Sequence, residues 1–252
     1  MIRALAVAIL LAVLAPLPAG AARVVSLNLC ADDYLLLLAP EQAVAVSVLA
    51  ADPALSVVAA AARRVAPVRA DAEAVLALHP DLVLAGPYGA QTTLALLERR
   101  GMRVERLDQP QDFAAIAAET RLVAALLGEA ARGEAMLATM RARLEAVPPR
   151  TPRRAVFLEA RGYAAQPGSL ADAVLRAAGF AGTGYNGQPG LEALVAHPPD
   201  VLVTATAPDY PSMATDLLAH PALAGMPRRA VAPALLVCGG PWTAKAVTVL
   251  AR

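Results

Sequence analysis

Short β-branched or aliphatic runs alternate with leucine- and alanine-rich stretches of helical period along most of the chain. RVVSLNL at residues 23–29 opens with such a run and reads as a buried strand. ADDYLLLLAP follows with leucines at helical spacing, and Asp32 and Asp33 suit the N-terminal end of that helix. VAVSVLA (44–50) predicts a second strand. EAVLALHPDLVLAG (73–86) predicts a short helix stopped by proline and then the strand LVLA (82–85). TTLALLERRG predicts a helix closed by Gly101, and MRVERL (102–107) another strand. Strands alternating with short helices imply a parallel sheet covered by helices.

From Asp112 the pattern changes to DFAAIAAETRLVAALLGEAARGEAMLATMRARLEAV, with one soft break at Gly128 and a hard stop at Pro148-Pro149. Its second part, 129–146, makes a helix of about 27 Å, long enough to bridge two lobes. The α/β alternation then resumes. AVFLEA (155–160) reads as a strand, SLADAVLRAAGF as a helix ended by Gly179, and EALVAHPPDVLVTA (192–205) as another helix-to-strand unit. MATDLLAHPAL is helical in pattern, AVAPALLV leads into a last strand, and PWTAKAVTVLAR is a closing helix with Pro241 near its start. Two phrases are nearly the same: Glu73, Pro80 and Asp81 recur as Glu192, Pro199 and Asp200, each 119 positions on. The expected fold is therefore α/β, with two similar lobes on parallel sheets joined by one long helix. The expected division is residues 1–22, 23–111, 112–150 and 151–252.

Composition narrows the classes. With 252 residues, 58% hydrophobic and 17% charged, the chain can bury substantial cores and is not a disordered polymer. A net charge of +1 without a Lys/Arg run leaves no electrostatic footprint for nucleic acid or an anionic membrane surface. Residues 1–22 read as a cleavable secretory leader: Arg3, then an apolar stretch from Ala4 to Leu17, then small residues ending at Ala21-Ala22. The apolar stretch is shorter than the roughly 20 residues of a spanning helix. The first cysteine, Cys30, lies too far downstream for a lipid anchor at the cleavage point. The mature chain is expected to be exported.

The opening RVVSLNLCADDYLLLLA, the phrase AEAVLALHPDLVLAG and the segment VFLEARGYAAQPGSLADAVLRAAGF resemble the periplasmic substrate-binding proteins of ABC importers for cobalamin, ferric siderophores and haem. The resemblance covers essentially residues 23–252. It implies a periplasmic location, two Rossmann-like lobes, one rigid connecting helix, a shallow ligand cleft between the lobes, a monomeric carrier without a resident cofactor, and delivery of a metal chelate or corrinoid to importer membrane subunits. It also gives the repeated glutamate a role. Glu73 and Glu192 match the exposed glutamates, one per lobe, that meet arginines on the two membrane subunits. Rim charges of that kind steer encounter and fix register. The residues alone allow a plainer role for each, complementing the dipole of its helix.

The candidate chemistry is sparse. His79, His197 and His220 each precede a proline at a helix end, without metal-site spacing. Neither a phosphate-cradling loop nor a G-x-S-x-G elbow occurs, and GTGYNGQPG (182–190) reads as a flexible loop. Cys30 and Cys238 are placed by the pattern at the ends of the first strand of one lobe and the last strand of the other. Ligands of open α/β sheets sit beyond the carboxyl ends of the strands. Three readings stay open for the pair: a disulfide across the cleft, a soft-metal ligand pair, or two buried thiols. A soft-metal carrier of copper or zinc and an exported enzyme with Cys30 as nucleophile are the corresponding alternatives to chelate binding. The same strand-end logic nominates Asn28, Tyr88, Arg161, Tyr163 and Trp242 as cleft residues. The aromatic rings bring flat surface for a macrocycle, and Arg161 a fork for an anionic group.

Overall fold

A computed structural model of the chain describes residues 22–185, 187–206, 218 and 220–252. The leader expected at 1–22 therefore lies, but for its last residue, outside the described residues, as does most of the MATDLLAHPAL stretch.

Among the described residues two separate parallel sheets form. The first contains β1 (Val24–Ser26), β2 (Ala43–Ser47), β3 (Ala66–Val68), β4 (Leu82–Ala85) and β5 (Val104–Arg106), in the order β3-β2-β1-β4-β5. The second contains β6 (Arg153–Leu158), β7 (Phe180–Gly182), β8 (Val201–Ala205) and β9 (Arg228–Val231), in the order β7-β6-β8-β9. Helices α1 (Leu29–Leu38), α2 (Ala59–Ala62), α3 (Ala72–Ala77) and α4 (Gln91–Arg99) belong to the first set, and α7 (Leu170–Ala177), α8 (Leu191–Ala196) and α9 (Ala244–Ala251) to the second. The central strands β1 and β4 are buried along their whole length, as their unbroken Val/Leu/Ala/Ser runs require between two helical layers.

The joining stretch is a hairpin of two helices, α5 (Phe113–Leu126) and α6 (Ala130–Glu145). Gly128 makes the turn with φ +74°, a conformation that costs glycine little. The helices approach closely because Gly133 lies against Ala124, where a Cβ would come within 2.5 Å of the alanine methyl. Ile116, Leu137, Met140, Leu170 and Ala244 then knit α5 and α6 to the second set in one small core.

Several elements differ from the sequence pattern. The first strand stops at Ser26 because the Asn28 side chain accepts from the Cys30 and Ala31 amides and starts α1 there. Cys30 thus stands in the first turn of α1, not at the end of a strand. The last strand ends at Val231, before Pro233, and Cys238 follows seven residues later in a loop. Edge strands β3 and β7 are only three residues each, and β3 carries Pro67, which an edge position tolerates.

The repeated phrase has a structural role at its aspartate. Asp81 accepts from the Arg23 amide (2.8 Å), while the Arg23 guanidinium donates to the carbonyls of Leu78 and His79 at the end of α3. In the second set Asp200 accepts from the Arg154 amide (2.7 Å), and the Arg154 guanidinium donates to the Pro198 carbonyl. Each lobe therefore pins the start of the strand that follows the phrase, β4 or β8, to the start of its neighbour, β1 or β6, with the same Arg–Asp clamp.

Candidate functional site

All strands in both sheets are parallel, so the loops leaving their carboxyl ends gather on one edge of each sheet. Those two edges face each other across a cavity of about 360 Å3. Gln109, Pro110 and Gln111, just beyond β5, form one wall. Glu159 beyond β6, the start of α7 at Ser169–Ala171, Ala205 at the end of β8, and Pro233, Val237 and Gly239 beyond β9 form the other. The Gln109–Gln111 wall has a second, larger hollow of about 820 Å3 on its other side, bounded by Pro87, Tyr88 and the α5 face bearing Ala118, Glu119 and Leu122. The first cavity is lined by aliphatic and amide groups with one carboxylate, Glu159, and the second hollow adds the carboxylates of Asp108, Asp112 and Glu119. Together they suit a bulky, partly apolar ligand held by surface burial and a few polar contacts.

Between the lining residues Val237 and Gly239, and buried behind them, lies a cross-link. Cys30 and Cys238 form a disulfide with their Cα atoms 5.2 Å apart. Of the three readings left open, the pair is the disulfide. Both sulfurs are consumed, which leaves neither thiolate for a soft metal nor a nucleophile at Cys30 in this oxidised form. Around the bond the second lobe inserts into the first. Cys238 and Trp242 belong to the hydrophobic core built on β1, α1 and α5, and the Tyr34 and Trp242 rings meet edge-on at 5.1 Å. The Tyr34 hydroxyl reaches the Gly239 carbonyl at 3.4 Å and Thr120 at 3.2 Å. Burial pushes that phenol well above its ordinary pKa, so it stays protonated.

The nominated residues divide. Tyr88, 77% exposed, stands in the hollow beside β4, and Arg161 and Tyr163 are exposed on the turn that follows β6. Trp242 does not present its ring to the cleft. It is 4% exposed, its indole N–H donates to the Cys238 carbonyl (3.2 Å), and it borders a small recess with Leu37, Met136 and Lys245. Asn28 is half-buried, its amide oxygen committed to capping α1 and its amide nitrogen pressed on Gly86, where no Cβ would fit. Glu73 and Glu192 are exposed, each the second residue of its helix. Those helices follow the edge strands β3 and β7, so both glutamates stand on the strand-end side of their sheets. His79, His197 and His220 all precede strands or lie before them, on the opposite edge, and the His220 ring accepts from the Ala222 amide.

Other residues at the site were not nominated. Gln109, Gln111, Glu159 and Val237 line the cavity; the strand-end rule that picked Tyr88 and Arg161 reaches the first three from β5 and β6, whereas Val237 was hidden in AVAPALLV, read as leading into a last strand that in fact ends at Val231. Asp32 and Asp33 carry more than a helix-end charge. Both are fully buried. Asp32 accepts from the Ser47 amide (3.0 Å) and hydroxyl (2.5 Å), and Asp33 from the Ser56 hydroxyl (2.7 Å), while Asp33 Oδ2 has no partner among the described residues. Desolvation raises Asp32 to about 6 and Asp33, beside it, to about 7. They tie the loop after β2 to α1.

Residues 24–232 match the family described as "Periplasmic binding protein". A cobalamin-binding protein of Halobacterium salinarum is 30% identical over 160 residues, covering 57% of this chain and 42% of that protein. The chain thus aligns with less than half the length of this curated relative. The periplasmic haem-binding protein RhuT of Roseiflexus sp. RS-1, in apo form, superposes with a TM-score of 0.72 at 26% identity, over 92% of this chain and 97% of the other. A periplasmic haem-binding protein of Pseudomonas aeruginosa gives a TM-score of 0.72 at 26% identity, over 91% of each chain.

Proposed function

The chain belongs to the periplasmic binding protein family, and on that premise we propose that it captures a metal chelate or corrinoid (haem, cobalamin or a ferric siderophore) in the cleft between residues 23–111 and 151–252 and hands it to an ABC importer. What carries this reading is the cleft itself: two facing strand-end edges around a largely amide-and-aliphatic cavity, with Tyr88 exposed in the adjoining hollow and Tyr163 exposed on the turn after β6. Flat rings at such a mouth suit a macrocycle. The binding-protein relatives, named for cobalamin and haem, point the same way. The protein acts by binding and release and does no covalent chemistry. Cys30 and Cys238 serve the site as a cross-link buried behind it, Asn28 and Trp242 as its support, and Tyr88, Arg161 and Tyr163 as the residues that touch the ligand.

Calorimetric titration with haemin, cyanocobalamin and a panel of ferric siderophores tests the reading. Saturable one-to-one binding of one class at micromolar concentration or below is expected; heat of dilution alone with every member refutes it. Delivery depends on Glu73 and Glu192, which stand on the strand-end side of their sheets and meet cationic groups on the importer's membrane subunits. Glu73→Lys with Glu192→Lys should abolish transport and leave ligand affinity within about twofold; undiminished uptake would remove the docking role.

A further inference from the structure

The recess beside Trp242, of about 220 Å3, shares no lining residue with the cleft cavity or with the hollow next to it. Three parts of the molecule build it. Leu37 of α1 and Val57 of the loop after β2 come from the first lobe, Trp242 and Lys245 from the second, and Met136 and Arg143 from α6, seven residues apart and so on one face of that helix.

The recess is largely apolar and its charge is all of one sign. Leu37, Val57, Met136 and Trp242 supply the apolar surface, Arg143 and Lys245 the charge, and no carboxylate is in the lining. Arg143 is half-buried and Lys245 exposed, and neither makes a hydrogen bond or an ion pair among the described residues. The other two arginines of α6 are paired: Arg132 stands by Glu41 (3.9 Å) and Glu129 (3.7 Å), and Arg141 by Glu134 (3.9 Å). Two unpaired cations on one recess of this size raise its potential, and an anion seated between them is the group that lowers it. Lys245 is also the only lysine among the 22 Lys and Arg residues of the chain. Its ammonium is a point charge on a flexible stem that adjusts to an anion, beside a guanidinium that can hold the same anion by two parallel bonds. As to size, an apolar cavity of about 150 Å3 accepts benzene, so this recess has room for a phenyl ring with a short tether or an acyl chain of similar bulk.

We propose that the recess is a second binding site, for a small monocarboxylate with an aryl or acyl body, its carboxylate between Arg143 and Lys245 and its body against Trp242 and Met136. The proposal is independent of what the cleft carries. Since the walls come from both lobes and from the helix that joins them, an occupant holds these parts together and stabilises the folded chain.

The purified protein is titrated with 3-phenylpropionate and with octanoate, and with 3-phenylpropanol and octanol as their uncharged counterparts. Emission of Trp242, the only tryptophan, reports the recess directly. A saturable change with one of the carboxylates at submillimolar Kd is expected, with the matching alcohol at least tenfold weaker. The carboxylate that binds tells an aryl body from an acyl one. Arg143→Gln and Lys245→Gln should each weaken it at least fivefold, and the carboxylate at ten times its Kd should raise the wild-type Tm by about 3–6 °C. The single lysine gives a further readout that needs no variant. Bound carboxylate should slow acetylation of Lys245 by acetic anhydride at least threefold by peptide mass spectrometry, with the rate at the α-amino group as reference. An alcohol that binds as tightly as its carboxylate, either variant at wild-type affinity, an unprotected Lys245, or silence with both carboxylates overturns the proposal.

Discussion

Replacing both Cys30 and Cys238 by alanine removes the only covalent tie between the two lobes other than the chain itself. The two residues are 208 positions apart. In the chain-entropy account, closing a loop of that length costs the unfolded state about 5 kcal/mol at 25 °C, so the native cross-link contributes up to that much to stability. The figure is large against the 5–15 kcal/mol that typically holds a folded protein together. The native state should change little, because the inserted turn keeps three other holds on the first lobe. These are the Tyr34–Trp242 ring contact at 5.1 Å, the Tyr34 hydroxyl on the Gly239 carbonyl, and the burial of Trp242 in the first core. The loss should therefore appear on the unfolded side. Guanidinium unfolding, followed by Trp242 emission and by far-ultraviolet circular dichroism, separates the cases. The double alanine variant and the reduced wild type should both unfold at lower denaturant and with a steeper m-value, since an uncrosslinked chain exposes more surface. A stability loss under about 1 kcal/mol with an unchanged m-value would refute the loop-closure argument. It would mean the non-covalent insertion of Trp242 alone sets how the lobes are joined.

The buried acid on α1 gives the molecule a pH dependence of definite sign. Asp33 titrates near 4 in the unfolded chain and about 7 in the folded one, so its contribution is complete below pH 4 and is lost as pH rises through 7. Stability should fall by about 2–3 kcal/mol between pH 5 and pH 8, with Asp32 adding in the same direction. Asp33→Asn should flatten the profile of midpoint against pH, and a slope equal to wild type would clear Asp33 of the effect. At the lobe junction, a Cβ on Gly239 would lie 2.7 Å from the Pro110 carbonyl, a backbone atom that cannot swing away. Gly239→Ala should cost about 1–3 kcal/mol and weaken ligand binding by shifting the wall at Gln109–Gln111; a wild-type Tm and affinity would deny the close approach.

Much of the scaffold was legible because parallel sheets write themselves as short, fully apolar runs between amphipathic helices. The LVLA strand and the Gly101 and Gly179 helix ends follow directly from that grammar. Strands β3 and β7 were missed since three residues, one of them Pro67 and another Gly182, carry no periodic signal, and only pairing with a neighbour makes them strands. The repeated Glu–Pro–Asp phrase was noticed for its glutamate. Its aspartate, which clamps each lobe through Arg23 or Arg154, is legible only once the partner 58 or 46 residues upstream is brought alongside. The cleft residues divide on the same ground. The exposure of Tyr88 and Arg161 follows from their place after a strand. The burial of Trp242 does not, because it depends on the far lobe entering the first core.

That shared core bears on how a ligand is taken up. In a receptor whose lobes meet only through a flexible linker, closure around the ligand adds contacts at the expense of ordering two bodies. Here the turn at residues 238–243 is covalently fixed to α1, packed in the first lobe's core and in backbone contact with the Gln109–Gln111 wall, and the α5–α6 hairpin braces the second lobe from behind. Opening the lobes by a wide angle would have to pull Trp242 out of a buried site, at a cost of several kcal/mol for an aromatic of that size. The cleft is therefore largely formed before the ligand arrives, and affinity comes from complementarity with little loss to conformational ordering. Small-angle scattering of the free and ligand-saturated protein should give radii of gyration that agree closely, whereas contraction on binding would show that the disulfide acts as a hinge pin and not as a lock.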